Sequence, residues 1–409
     1  MNNADLIVQL LANAGIRHGF GVPSGNVLPL MDAMRRGGIA FVLTAHEGSA
    51  AFAADVTGRV TATPGLCIAT LGPGATNLTT GVGSAWLDRS PLIAITCTLN
   101  QAQLGRRLQM WIDHHTLFQP ITKASFQLRA GNIVETIHAA LRVAMSEPQG
   151  PVHLDLPEDV ALAQATETDV TAPTPVPFAQ ADPAALARAV ALLQAAKRPL
   201  AVIGTSAMRM HDAGLLRACV ERHQLPFMTT TMAKGLIDDD HVLGLGCIER
   251  SKRKLQRQFI QQADLIVALG YDTIEVEYEA WAGQVPVLHV GIEAADVDAS
   301  VQLALNVVGD LDHTLKHLIA ATPAKPQWQA QTLATHRDTF ERALRPVVPN
   351  FAPHQAIDVV RQVLPHNGIL AFDVGAHTHQ IASQWHAHAP REFLITNGWS
   401  SICLLYTSD

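Results

Sequence analysis

A chain of 409 residues, at about 150 residues per domain, is long enough for two or three separate cores rather than one. Hydrophobic residues make up 48% and charged residues 16%, too apolar for disorder, yet no uninterrupted apolar run reaches the ~18 residues of a membrane-spanning helix. The net charge of −7 comes without acidic blocks and the 29 Lys and Arg are dispersed, so neither a nucleic acid nor a membrane is an expected partner.

The chain starts MNNADLIVQLLANAGIRHG, with apolar residues at helical spacing and no basic leader, which predicts a cytoplasmic protein. From Asn3 to about Asp159, amphipathic stretches alternate with the apolar runs FVLTA, GLCIATLG, PLIAITC and PVHLDLP, the pattern of a parallel sheet covered on both faces. A first domain is predicted over 1–165. The segment QATETDVTAPTPVPFAQADP, rich in Thr and Pro and without periodicity, reads as a linker.

A second domain is predicted over 183–320, with RPLAVIG, LPFMTTT, ADLIVALG and VPVLHVG as strands and AGLLRACVERHQ as a helix. ATPAKPQWQAQ opens a less regular connector. A third unit, 353–402, offers HQAIDVVRQVLP as a helix, GILAFDVG as a strand, QIASQWHAHA as a helix and EFLITN as a strand, too few elements to close a core. The predicted class is therefore α/β, with three doubly wound parallel-sheet domains in tandem and the third incomplete. Residues 403–409, CLLYTSD, read as an adapter-derived scar and not as part of the fold.

The five cysteines (Cys67, Cys97, Cys219, Cys247, Cys403) lie far apart, and Cys67 and Cys97 sit in strand-like runs, which predicts reduced structural thiols. None of the 19 histidines forms a pair with metal-site spacing, so most are expected at the surface or in packing.

Candidate chemistry gathers where strands give way to helices. Glu47, in TAHEGSAAFAADVTGR, stands where a strand ends and an alanine-rich helix begins, a place that favours an acidic side chain by ~0.3–1 kcal/mol through the helix dipole alone. Gly72-Pro73-Gly74 joins a strand to a helix but matches neither GxGxxG nor GxxxxGK[ST]. It reads first as a tight turn that lets another segment approach closely. Gly21-Val22-Pro23-Ser24-Gly25 is an earlier turn of the same kind, and Gln109-Met110 precede Asp113-His114-His115.

Taken together, His46-Glu47 with Ala50, Ala51, Phe52 and Ala53, then Gly72 to Asn77, then Asp88 and Pro91, resemble the pyrimidine-binding domain of thiamine-diphosphate enzymes. The resemblance covers residues 1–402 and is to the acetolactate synthase type. It implies that Glu47 shares a proton with N1′ of the cofactor, so that the cofactor's own amino group can remove the C2 proton. It implies that Pro23 and Gly25 border the thiazolium and substrate, and that Gly72, Pro73 and Asn77 lie near the cofactor. The family's substrate-facing glutamine falls at Met110, with Gln109 one place off, and a thioether cannot make an amide's hydrogen bonds.

LGYDTIEVEYEAW, Leu269 to Trp281, is similar to the flavin-free, catabolic members, so FAD is not expected. Gly375 and His377 correspond to residues that help hold the diphosphate. Gly398 lies in the turn before the apolar wedge, which falls at Ile402. The Gly-Asp-Gly stretch that holds Mg²⁺ would lie beyond this chain, which is therefore expected to contain no metal ligands and to be inactive as it stands.

The reaction implied is decarboxylation of a 2-oxo acid, with pyruvate as donor, and carboligation to a second carbonyl compound in a homodimer or homotetramer. A simple 2-oxo acid decarboxylase, another thiamine-diphosphate lyase or an acetyltransferase is the near alternative. A non-catalytic nucleotide- or flavin-binding α/β protein is the alternative of another class.

Overall fold

The runs GLCIAT and LIAITCT are apolar or β-branched throughout, and as adjacent parallel strands they bury every residue. Around them the first unit is built. The computed structural model describes residues 1–174, 177–276, 281–323 and 325–400. Two units form: Met1–Pro177 together with the segment from Thr396 onward, and Phe178–Ile395.

In the first unit the order is α1 (Asn3–Asn13), β1 (His18–Gly21), α2 (Leu28–Gly37), β2 (Ala40–Leu43), α3 (Glu47–Thr61), β3 (Gly65–Thr70), α4 (Pro73–Leu87), β4 (Leu92–Thr98), α5 (His114–Phe118), β5 (Ala124–Gln127), α6 (Ile133–Met145), β6 (Pro151–Pro157) and α7 (Glu158–Leu162). The six strands form one parallel sheet in the order β2-β1-β3-β4-β6-β5. Its two faces differ, because alternate residues of a strand point to opposite sides. Leu66, Ile68, Ile93 and Ile95 join Leu6, Leu10, Leu30 and Ile137 in one core. Cys67, Ala69, Leu92 and Ala94 face the other way, against Ala50, Ala54, Leu78 and Val82 of α3 and α4.

Small residues on that second face let α3 and α4 come close. A Cβ on Gly65 would stand 1.8 Å from the Ala54 carbonyl oxygen, and one on Gly58 would stand 2.2 Å from that of Pro91. Backbone occupies both places, so α3 is fixed against the sheet.

The second unit contains α8 (Pro183–Ala195), β7 (Pro199–Ile203), α9 (Gly214–His223), β8 (Phe227–Thr229), β9 (Gly244–Cys247), α10 (Arg253–Ile260), β10 (Leu265–Leu269), β11 (Val287–Gly291), β12 (Leu303–Val308) and α11 (Leu311–Ala320). Its parallel sheet runs β12-β11-β10-β7-β8-β9. Next come α12 (Ala330–Leu344), α13 (Pro353–Val363), β13 (Leu370–Ala371), α14 (Ala376–Gln384) and β14 (Phe393–Leu394). β13 and β14 pair in parallel, and Ile357, Phe372, Ala382, Trp385 and Phe393 form a small core of their own.

The chain is α/β, and among the described residues it has two six-stranded parallel sheets and a third sheet of two strands. Of the strands that the apolar runs do not signal, β5, β9 and β12 lie at sheet edges, where continuous apolar runs are not required, and the short β1 (HGFG) lies inside the first sheet. GILAFDVG and EFLITN are strand only over Leu370–Ala371 and Phe393–Leu394, and the connector after Ala320 contains the 15-residue helix α12.

Cys67, Cys97, Cys219 and Cys247 are free and buried, and burial pushes the thiols of Cys219 and Cys247 up to about 12. Among the described residues no helix is long and apolar enough to cross a membrane.

One buried acid of the second unit has a measurable signature. Glu275 accepts from the Thr205 and Asp272 N–H groups, each at 2.8 Å, and from the Thr230 hydroxyl. Burial pushes its carboxyl up from 4.5 to about 8. Between those values the native protein keeps a proton that the unfolded chain has lost, so this group's contribution to stability declines as pH rises through the window, by up to ~1.4 kcal/mol per pH unit. Glu275→Gln is expected to remove that slope. It also lowers stability at the acidic end, because its amide donor meets a backbone N–H. Urea titrations across the window check both; an unchanged slope would show that Glu275 is not its source.

Candidate functional site

In a parallel sheet every strand delivers the following loop to the same edge, and ligands of doubly wound folds bind in crevices at that carboxyl edge. Four neighbouring strands do so here. Pro23 and Gly25 follow β1, Glu47 follows β2, Gly72, Pro73 and Asn77 follow β3, and Gln109 and Met110 follow β4.

Glu47 is the first residue of α3. His46 caps the helix, with backbone φ −152° and its Nδ1 accepting the Gly48 N–H at 2.9 Å. The half-buried Glu47 carboxylate accepts from Asn77 Nδ2 at 3.0 Å through Oε2. A Cβ on Gly74 would stand 3.4 Å from its Oε1, so the first turn of α4 packs on the carboxylate. Among the described residues Asn77 is its hydrogen-bond partner, and no Lys or Arg pairs with it.

The Gly72 turn meets the Met110 turn directly. Gly72 has φ +64°, and an ideal Cβ there would lie 2.3 Å from the Met110 carbonyl oxygen, so both the conformation and the space call for glycine. Met110 itself has φ +64°, a left-handed conformation that costs a non-glycine residue ~1–2 kcal/mol. Its side chain is 41% exposed, and Gln109 is exposed beside it.

Pro23 and Gly25 are exposed, and a Cβ on Gly25 would meet nothing within 4 Å. The close approach in this turn is made by Gly21, where a Cβ would lie 2.4 Å from the Ile68 carbonyl oxygen. Asn26 anchors the turn by donating to Glu158 Oε2 at 3.2 Å.

Gly375 and His377 belong to the second unit. Gly375 is extended (φ 169°) at the start of α14, and the exposed His377 ring folds back over it, 2.8 Å from where a Cβ would stand.

Gly398 joins the first unit at a different place from the others. The Asp88 carboxylate, at the C-terminal end of α4, accepts the Gly398 N–H at 2.7 Å and the Asn397 N–H at 3.1 Å. Gly72 caps the opposite end of this 15-residue helix, about 22 Å away at 1.5 Å per residue. Burial, reinforced by Asp55 and opposed by Arg59, pushes the Asp88 carboxyl up to about 6. Ile402 and 403–409 lie outside the described residues.

Two residues at the edge escaped the sequence reading. His114 accepts the Gly72 N–H through Nε2 at 3.3 Å, and its Nδ1 lies 2.8 Å from Asp155 Oδ1. No short motif joins Gly72, His114 and Asp155, because they arrive from β3, α5 and β6.

Residues 1–122 match the thiamine pyrophosphate enzyme N-terminal TPP binding domain, and residues 186–318 match the central domain of the same enzymes. A probable acetolactate synthase large subunit of Methanocaldococcus jannaschii is 30% identical over 97% of this chain and 71% of its own length. The acetolactate synthase isozyme 1 large subunit of Escherichia coli is 30% identical over 97% of this chain and 71% of its own. An acetolactate synthase of Bacillus subtilis is 27% identical over 98% and 72%, respectively.

Proposed function

The chain belongs to the thiamine pyrophosphate enzymes, and from that premise we propose that it carries the activating half of an acetolactate synthase that takes pyruvate as its 2-oxo acid. The observation that carries the reading is the Glu47 carboxylate at the sheet's carboxyl edge, oriented by one amide donor and, among the described residues, paired with no cation. Such a group fits thiamine diphosphate: Oε2 is held by Asn77, while Oε1 is free to take a proton at a ring nitrogen. When bound, the cofactor supplies a carbon acid whose anion attacks the carbonyl of a 2-oxo acid.

With the cofactor bound, Glu47 would hold a proton at its N1′, and Asn77, which donates to Oε2, would keep the carboxylate turned toward it. Gly72 and Pro73 would form the turn that brings backbone close to the cofactor, and Pro23 and Gly25 would border the substrate. Gly375 and His377 would serve the diphosphate, whose charge Mg²⁺ would balance. A cytoplasmic homodimer or homotetramer without FAD completes the proposal.

Position 110 supports a second reading. Met110 offers no amide to hold an acceptor carbonyl, which favours release after decarboxylation over carboligation. The complete enzyme given pyruvate alone separates the two: acetolactate is expected, whereas carbon dioxide and acetaldehyde without a condensed product would make it a decarboxylase.

A further inference from the structure

Behind the Gly72 turn, three strands and a helix bring together six polar side chains, four of them fully or almost fully buried. In sheet register Thr96 of β4 pairs with Asp155 of β6, and Ser125 of β5 pairs with His153 of β6. His114 and His115 begin α5. Thr96 Oγ1 is 2.7 Å from Asp155 Oδ1 and 2.7 Å from His153 Nε2. Ser125 Oγ is 2.6 Å from His153 Nδ1 and 2.7 Å from His115 Nδ1. The Phe118 ring stacks on His153 at 4.3 Å.

The direction of every bond follows from one group. An ionised carboxylate only accepts, so the Thr96 hydroxyl and His114 Nδ1–H both donate to Asp155 Oδ1. Thr96 has then spent its proton, and its oxygen accepts from His153 Nε2–H. Burial pushes the His153 imidazole down to about 3, so its Nδ1 is bare and accepts the Ser125 hydroxyl proton. Ser125 in turn accepts from His115 Nδ1–H. At the other end His114, with its proton on Nδ1, has a bare Nε2 facing the Gly72 N–H.

We propose that this chain is a positioning network for the candidate site: it holds His114 as the Nδ1–H tautomer, so that Nε2 fixes the Gly72 turn and, through α4, sets Asn77 against Glu47. A protonated His114 would point an N–H at the Gly72 N–H and release the turn. The same geometry argues against a metal centre. Donor atoms of His114, His153 and Asp155 lie within 4.8 Å of one another, but Thr96 already bridges His153 to Asp155, and an ion would have to break these bonds.

The network rests on the thiamine reading only for what the turn is used for. Its geometry is tested on this chain by nitrogen NMR of the histidine rings and by hydrogen exchange at Gly72. His114 and His115 are expected as Nδ1–H tautomers and His153 as Nε2–H. His114→Phe, which keeps the ring volume without an acceptor, should speed Gly72 exchange ~10-fold. His114→Gln should restore protection, because its amide oxygen replaces Nε2.

An Nε2–H tautomer at His114, unchanged Gly72 exchange in a folded His114→Phe chain, or stoichiometric zinc that displaces the ring protons would each overturn the proposal. Should the Phe variant not fold, the tautomers of the unaltered protein decide. In the complete enzyme, His114→Phe should slow exchange of the cofactor's C2 proton and His114→Gln should recover it. Normal C2 exchange in Glu47→Gln would instead sink the thiamine reading and leave the Gly72 result standing.

Discussion

Glu47→Gln in the complete enzyme is expected to slow exchange of the cofactor's C2 proton by ~100-fold or more, the usual worth of a positioned acid or base. The substitution keeps the length and shape of the side chain but exchanges a group that can share a proton for an amide that cannot. Either orientation of the amide fails. With its nitrogen toward Asn77, two donors oppose each other; with its oxygen there, the outward group only donates.

The fold should survive, because the half-buried carboxylate has one side-chain partner and loses only ~0.3–1 kcal/mol of helix-dipole stabilisation. Glu47→Asp should fail as well, since one methylene fewer withdraws the carboxylate from its reach. Near-normal exchange in a folded Glu47→Gln enzyme would refute the assignment.

How much of this was legible in the sequence follows the physics of a parallel sheet. β3 and β4 are buried on both faces and appear as runs of apolar or β-branched residues, and β6, buried throughout, keeps that pattern except at His153 and Asp155. The segment that follows each strand starts from the same sheet edge, which is why Glu47, Gly72 and Met110 could be expected near it. β5, β9 and β12 could not be read, because an edge strand such as ASFQ or GLGC carries no such run. Among glycines, Gly25 stood out by motif, yet the residue held by close approach is Gly21, and only the partner strand shows that. The histidines behind Gly72 were indistinguishable from packing residues for the same reason. What makes His153 a link is that β4 and β5 flank β6, placing Thr96 and Ser125 beside it.

Local propensity and tertiary packing disagree most sharply at Gly81, in the middle of α4. In an isolated helix alanine would be favoured there by about 1 kcal/mol. In this fold a Cβ on Gly81 would lie 2.5 Å from the Ala51 Cβ and 2.8 Å from the Phe52 nitrogen, against ~3.5–4.0 Å for ordinary carbon contacts. The obstacle is largely α3 backbone, which is itself pinned by the close approaches at Gly58 and Gly65, so α4 must move instead.

Gly81→Ala is therefore expected to destabilise the first unit by ~1–3 kcal/mol despite its better propensity. It should also weaken the Asn77 bond to Glu47, because both ends of that bond ride on the two helices being forced apart. Gly25→Ala, with open space around its Cβ, should leave stability within ~0.5 kcal/mol of the parent. Ala51→Gly added to Gly81→Ala should recover only part of the loss, since it clears one methyl but not the Phe52 nitrogen. Chemical denaturation of the three variants measures the set, and a Gly81→Ala chain as stable as the parent would mean that α3 and α4 yield more readily than their backbone contacts imply.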